Sequence, residues 1–142
     1  MDGLGRFLRH AWTIRISRIL LGLVFIAAAL PKIGDAASFA AQIHNYRMVP
    51  VVFENVMGIL IPWIELVVGL ALVLGVRARA GSLAAGVLMI IFTVAVGQAV
   101  ARGLDIECGC FGTGDGARVG FLKLLEDGVY LALAAIGLQR ID

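Results

Sequence analysis

The sequence predicts an all-α, polytopic membrane protein: one domain over residues 1–142, built as a bundle of four transmembrane helices. Three observations predict it. Hydrophobic residues make up 61% of the 142-residue chain and charged residues only 15%, against about 45–50% and about 25% in an ordinary soluble domain. The mean hydropathy is +0.97, and there is too little charge to coat a water-facing surface. The apolar residues also run in long blocks, each near the ~20 residues that a helix needs to cross the ~30 Å hydrocarbon core. A soluble enzyme and a disordered chain are excluded on composition. The net charge of +2 supports no basic groove, so no nucleic-acid partner is expected.

The spans fall at about 14–33, 51–76, 80–101 and 119–138. Ala80–Ala101 carries no charge. Ile14–Ile33 has an uncharged inner part, Ile19–Pro31, and Pro31 should end or kink it. Val51–Val76 is interrupted by Glu54 and Glu65, and Pro62 should kink it. Val119–Leu138 carries Lys123, Glu126 and Asp127 in its first turns. The arginines before the first apolar run raise the alternative of a secretory leader. The full spanning length favours an uncleaved first helix instead. Glycines within or at the ends of the spans, among them Gly58, Gly69 and Gly86, suit close helix approach in lipid.

Orientation follows the distribution of basic residues. The N-terminal arm, the link between the second and third spans and the C-terminal tail hold seven of them, Arg6, Arg9, Arg15, Arg18, Arg77, Arg79 and Arg140. The opposite side holds five, Lys32, Arg47, Arg102, Arg118 and Lys123. The positive-inside rule then places both termini in the cytoplasm. The loops at about 34–50 and 102–118 face outward from a bacterial inner membrane.

Both cysteines lie in the second outward loop, in Asp105-Ile106-Glu107-Cys108-Gly109-Cys110-Phe111-Gly112. Three readings stand open. Cys108 and Cys110 are inert thiols, or a redox pair, or ligands for a soft ion such as Cu(I) or Hg(II) in a carrier or transporter. A disulfide between residues two apart closes a small, strained ring, made accessible by Gly109. Strained, exposed disulfides are the oxidising, exchange-prone kind. Asp105, Glu107 and Asp115 nearby disfavour a strongly activated thiolate. Phe111 offers an apolar contact to a partner, and His44 and Tyr46 of the first outer loop are placed to meet the cysteine loop.

Ionisable groups inside spans default to function. Glu65 sits near the middle of the second span, with Glu54 on nearly the same face ~16 Å away. Gly58, Pro62 and Gly69 border that face, so the stripe should look into the bundle. Judged by depth, Lys32 or Lys123 is expected to pair with Glu54, and Arg18 to approach Glu65. Asp127 lies one turn from Lys123. These groups either lock helix register as ion pairs or line a polar path toward mid-membrane, for protons or a quinone-like acceptor.

The ordered set Arg18, Lys32, Tyr46, Pro50, Pro62, Glu65, Gly69 and Arg77, followed by Cys108-Gly109-Cys110-Phe111-Gly112, resembles the methylamine-utilisation protein MauE family. That family is part of a wider DoxX-like group of four-helix, redox-associated membrane proteins. The likeness runs from about Arg18 to Leu138. It implies a role in methylamine metabolism, in the maturation of a disulfide-rich periplasmic protein, which is the methylamine dehydrogenase beta subunit in the namesake system. It also implies a thioredoxin-like extracytoplasmic partner. The resulting expectation is a membrane-embedded thiol–disulfide protein, an oxidoreductase or an accessory to one.

Overall fold

The computed structural model describes residues 2–106 and 119–140. Among them every regular element is a helix: α1 (Asp2–Arg9), α2 (Ala11–Gly34), α3 (Ala36–Tyr46), α4 (Val51–Leu74), α5 (Ala78–Ala101) and α6 (Phe121–Gly137). Three of them, α2, α4 and α5, are long and apolar enough to cross a bilayer. These match the first three expected spans. The chain is therefore read as a multi-pass membrane protein. The fourth expected span is shorter than anticipated: α6 has 17 residues and starts at Phe121.

The first outer loop is a correction. Its residues form α3, not an irregular segment. Asp35 makes the corner: its N–H donates to Lys32 O, ending α2, and its carboxylate accepts from Ser38 N at 3.2 Å and Ser38 Oγ at 2.6 Å, starting α3. Those bonds hold the Asp35 carboxyl below its usual range. α3 ends at Arg47, which takes the left-handed conformation at φ 54°. Pro31 does not end its helix either, since α2 continues to Gly34.

Packing follows the small residues. α2 lies along α4, crossing where Gly22 meets Gly69: a Cβ on Gly22 would stand 2.7 Å from Gly69 O, and one on Gly69 2.8 Å from Gly22 O. Two backbones that close require glycine on both sides. Further along, Gly58 of α4 accommodates Ala36 and Ala40, which seats α3 on α4. α6 packs against α5 and α2. At its C-terminal end Arg18 Nε donates to Gly137 O (2.9 Å), Arg18 Nη2 to Gln139 O (3.0 Å) and Arg79 Nε to Leu138 O (2.8 Å). Cations at a helix C-terminus satisfy its orphan carbonyls.

The core between α2, α4, α5 and α6 is Leu21, Phe25, Val68, Leu72, Ala85, Met89 and Ala134. Leucines, isoleucines and valines such as Leu20, Leu60, Val67 and Ile90 point outward and are exposed. Large apolar side chains outside and charged ones inside is the pattern expected where lipid replaces water.

Candidate functional site

The buried charged residues gather between the core and the end of the bundle where α5 stops and α6 begins, while Ser17 and Ser82 are buried toward the other end. The stripe on α4 behaves as expected: Glu54, Gly58, Pro62, Glu65 and Gly69 are all buried. Their partners differ from expectation. Lys32, not Arg18, meets Glu65, with Nζ donating to Oε1 at 3.1 Å and Oε2 at 3.2 Å. Both side chains are essentially sealed, at 1% and 3% exposure. Phe39 of α3 and Phe92 of α5 flank the ammonium, their ring centres 4.8 and 5.1 Å from Nζ.

Depth along the backbone misassigned this pair for a geometric reason. Measured from the Gly22–Gly69 crossing, Lys32 is ten residues along α2 and Glu65 four along α4, a Cα offset of about 9 Å. A lysine on a helix leans toward that helix's N-terminus, and its stem covers much of the difference. Arg18 instead holds α6. Glu54 pairs with His44 rather than with a lysine, Nδ1 and Oε1 lying 2.9 Å apart.

Facing this pair, α6 supplies a second polar group. Lys123 Nζ donates to Glu126 Oε1 at 3.3 Å, and Tyr130 OH donates to the same oxygen at 2.9 Å. Asp127, 2% exposed, points Oδ2 at no hydrogen-bond partner among the described residues. A cavity of about 30 Å³, lined by Phe25, Glu65, Met89, Phe92, Lys123, Glu126, Asp127 and Tyr130 among others, joins the two groups. That volume is large enough for one water.

Above the cavity sits Tyr46, in a small core with Val96, Ala99, Leu104, Ile106, Val119 and Leu124. Burial, and then the Asp127 carboxylate when ionised, push the Tyr46 phenol well above its usual value. Its backbone oxygen accepts from Gln98 Nε2 at 3.0 Å and Arg102 Nη1 at 3.4 Å. Arg102 also donates to Arg47 O at 3.2 Å and Gln98 Oε1 at 2.8 Å, fastening the end of α3 to the end of α5. Val119 N donates to Ile106 O at 3.0 Å. The two chain ends flanking the cysteine segment are thus joined into a neck directly over Tyr46. Cys108, Cys110 and Phe111 themselves lie outside the described residues, so their expected contacts with His44 and Tyr46 do too. Among the described residues no three His, Cys, Asp or Glu side chains gather as a metal site.

Between α3, α4 and α5 runs a second, larger crevice of about 370 Å³. Its walls are apolar, Met57, Leu60, Ile64 and Ile91 among them, and Gln42 and Tyr46 also line it. Phe39 and Phe92 border it too, so the rings that flank Lys32 separate this crevice from the ion pair.

Sequence reasoning did not single out Phe39, Phe92, Gln98 or Tyr130. An aromatic residue in an apolar block carries no signal of the cation it will cover. Arg102 was visible only as a loop charge, and its role depends on where α3 ends.

The fold and site define a helical, multi-pass membrane protein with a buried ion pair and a small cavity bordered by charged residues of α4 and α6, near the Ile106–Val119 neck. The chain belongs to the MauE family: the profile of methylamine utilisation protein MauE matches residues 10–140. It is 34% identical over 129 residues to the methylamine utilization protein MauE of Paracoccus denitrificans, covering 90% of this chain and 69% of the relative. To the protein of the same name from Methylorubrum extorquens it is 37% identical over 122 residues, covering 85% of this chain and 65% of the relative. The Methylophilus methylotrophus protein is 31% identical over 128 residues. The chain thus spans about two thirds of the length of these relatives. No solved structure matches.

Proposed function

We propose that the protein is a membrane-embedded thiol–disulfide carrier of the methylamine utilisation system, acting on extracytoplasmic proteins. In this reading α6 is a fourth crossing, both termini lie in the cytoplasm and the cysteine segment faces outward from the inner membrane. The observation that carries it is the neck. The Val119–Ile106 hydrogen bond and the Tyr46 core anchor both ends of a Cys-Gly-Cys segment at one end of the bundle. Such an anchor presents a segment to a visiting protein while lipid holds the rest.

The chemistry is exchange. A thiolate of the thioredoxin-like partner attacks one sulfur of a Cys108–Cys110 disulfide. A mixed disulfide forms, and the leaving cysteine takes up a proton. The partner's second thiolate attacks the mixed disulfide, leaving the partner oxidised and Cys108 and Cys110 both reduced. Two electrons and two protons are transferred in all. Strain in the small ring favours this direction. The partner in turn oxidises the maturing periplasmic substrate. A lipid-soluble quinone re-oxidises the pair, taking up the two electrons and two protons as quinol. The apolar crevice beside Gln42 and Tyr46 is its proposed place.

Trapping tests the proposal. With the second cysteine of the thioredoxin-like partner replaced by serine, the partner's remaining thiolate should stay joined to this protein as a covalent adduct that reductant releases. Loss of both Cys108 and Cys110 should abolish the adduct. Equal partner maturation with both cysteines replaced by serine would overturn the reading.

A further inference from the structure

We propose that the cavity bounded by α2, α4, α5 and α6 is a proton-binding site, in which Asp127 holds an exchangeable proton in mildly acidic solution, where an exposed aspartate is ionised, beside a buried water. Three observations carry it. The first is charge. Among the described residues, the groups facing the cavity or its walls are two cations, Lys32 and Lys123, and three carboxyls, Glu65, Glu126 and Asp127. Lys32 is bound to Glu65, and Lys123 is bound to Glu126 while its charge also acts on Asp127. From α5 come only Met89 and Phe92, which carry no charge, and from α6 the neutral Tyr130. Tyr46 of α3 stays a phenol. Arg18 is held at the far end of α6 by Gly137 and Gln139, and His44 and Glu54 pair with each other. One negative charge is left over if every carboxyl ionises.

The second observation is position. Asp127 is 2% exposed, and its Oδ2 makes no hydrogen bond within the described residues. An ionised oxygen in that state is strongly disfavoured, whereas a protonated one donates a hydrogen bond. The third is room. The cavity that Asp127 lines admits a water, which supplies the acceptor that the carboxylic O–H lacks. The site stands whether or not the sulfurs cycle, because nothing in it depends on Cys108 or Cys110.

Infrared spectroscopy of the membrane-embedded protein tests it. The wild-type chain should show a protonated-carboxyl C=O band at about pH 5.5, where exposed aspartates are ionised. The band should shift in D2O, shift again when aspartate carboxyls carry ¹³C, and vanish in Asp127→Asn. The labelled wild-type protein needs no variant to fold, so the answer does not depend on Asp127→Asn being stable. Absence of the band, its response to labelled glutamate instead of aspartate, or its survival in Asp127→Asn would each overturn the proposal.

Discussion

Lys32 and Glu65 stand 33 residues apart in sequence and 3.1 Å apart in space, both almost wholly buried. Their pairing joins the end of α2 to the middle of α4, and the rings of Phe39 and Phe92 close over it. A buried pair of this kind adds little relative to a well-packed apolar pair, but losing one partner is costly. Removing a single partner of a buried pair costs about 3–5 kcal/mol. Glu65→Gln or Lys32→Met should each lower thermal stability in nanodiscs by an amount of that order. The double variant Lys32→Met with Glu65→Met should recover most of the loss. A loss in the double variant equal to the sum of the single losses would show that the side chains act independently.

The Gly22–Gly69 crossing makes a steric prediction. Gly69→Ala places a Cβ 2.8 Å from a backbone oxygen, so α2 and α4 must separate. Overpacking of this kind costs about 1–3 kcal/mol. Gly97→Ala is the control, since nothing lies within 4 Å of a Cβ there. Melting temperatures of the two variants should differ, with Gly69→Ala clearly the lower.

Arg102 fastens the end of α3 through the carbonyls of Tyr46 and Arg47. Arg102→Ala should therefore loosen the neck without unfolding the bundle. Charge-assisted bonds of this type contribute about 1.5–3 kcal/mol when buried, and Arg102 is exposed, so a smaller loss is expected. Hydrogen exchange should rise at Tyr46–Arg47 and at Leu104–Ile106 while α4 keeps its protection.

Asp35 gives a pH dependence. Its carboxyl titrates lower in the folded chain than in an unfolded one because Ser38 donates to the charged form. Stability from this corner is therefore fully present above the unfolded value, about 3.9. It is lost as pH falls through the lower folded value. The Ser38 amide shift, followed by NMR through that acid window, should report the loss. Asp35→Asn should keep the cap and remove the titration.

Much of the architecture was legible because lipid imposes simple arithmetic. Block length and missing charge located α2, α4 and α5, and the 11-residue spacing of Glu54 and Glu65 placed both on the inward stripe that Gly58, Pro62 and Gly69 share. The partners of those charges were not legible. They depend on how far one helix slides along another, which the Gly22–Gly69 contact fixes, and on the direction a lysine stem leans. α3 was missed because Ala36–Tyr46 is short and sits between two spans, where a loop is the ordinary expectation. Its start signal was nonetheless present, in Asp35 three residues before Ser38. The neck formed by Ile106 and Val119 was not legible either, since it pairs residues on opposite sides of a glycine-rich segment.

The most direct measurement is labelling of Cys108 and Cys110 in intact cells with a membrane-impermeant maleimide, before and after a mild reductant. The account predicts no labelling at first and full labelling from outside once reductant is added. Labelling without reductant, or only after the membrane is opened, would contradict it.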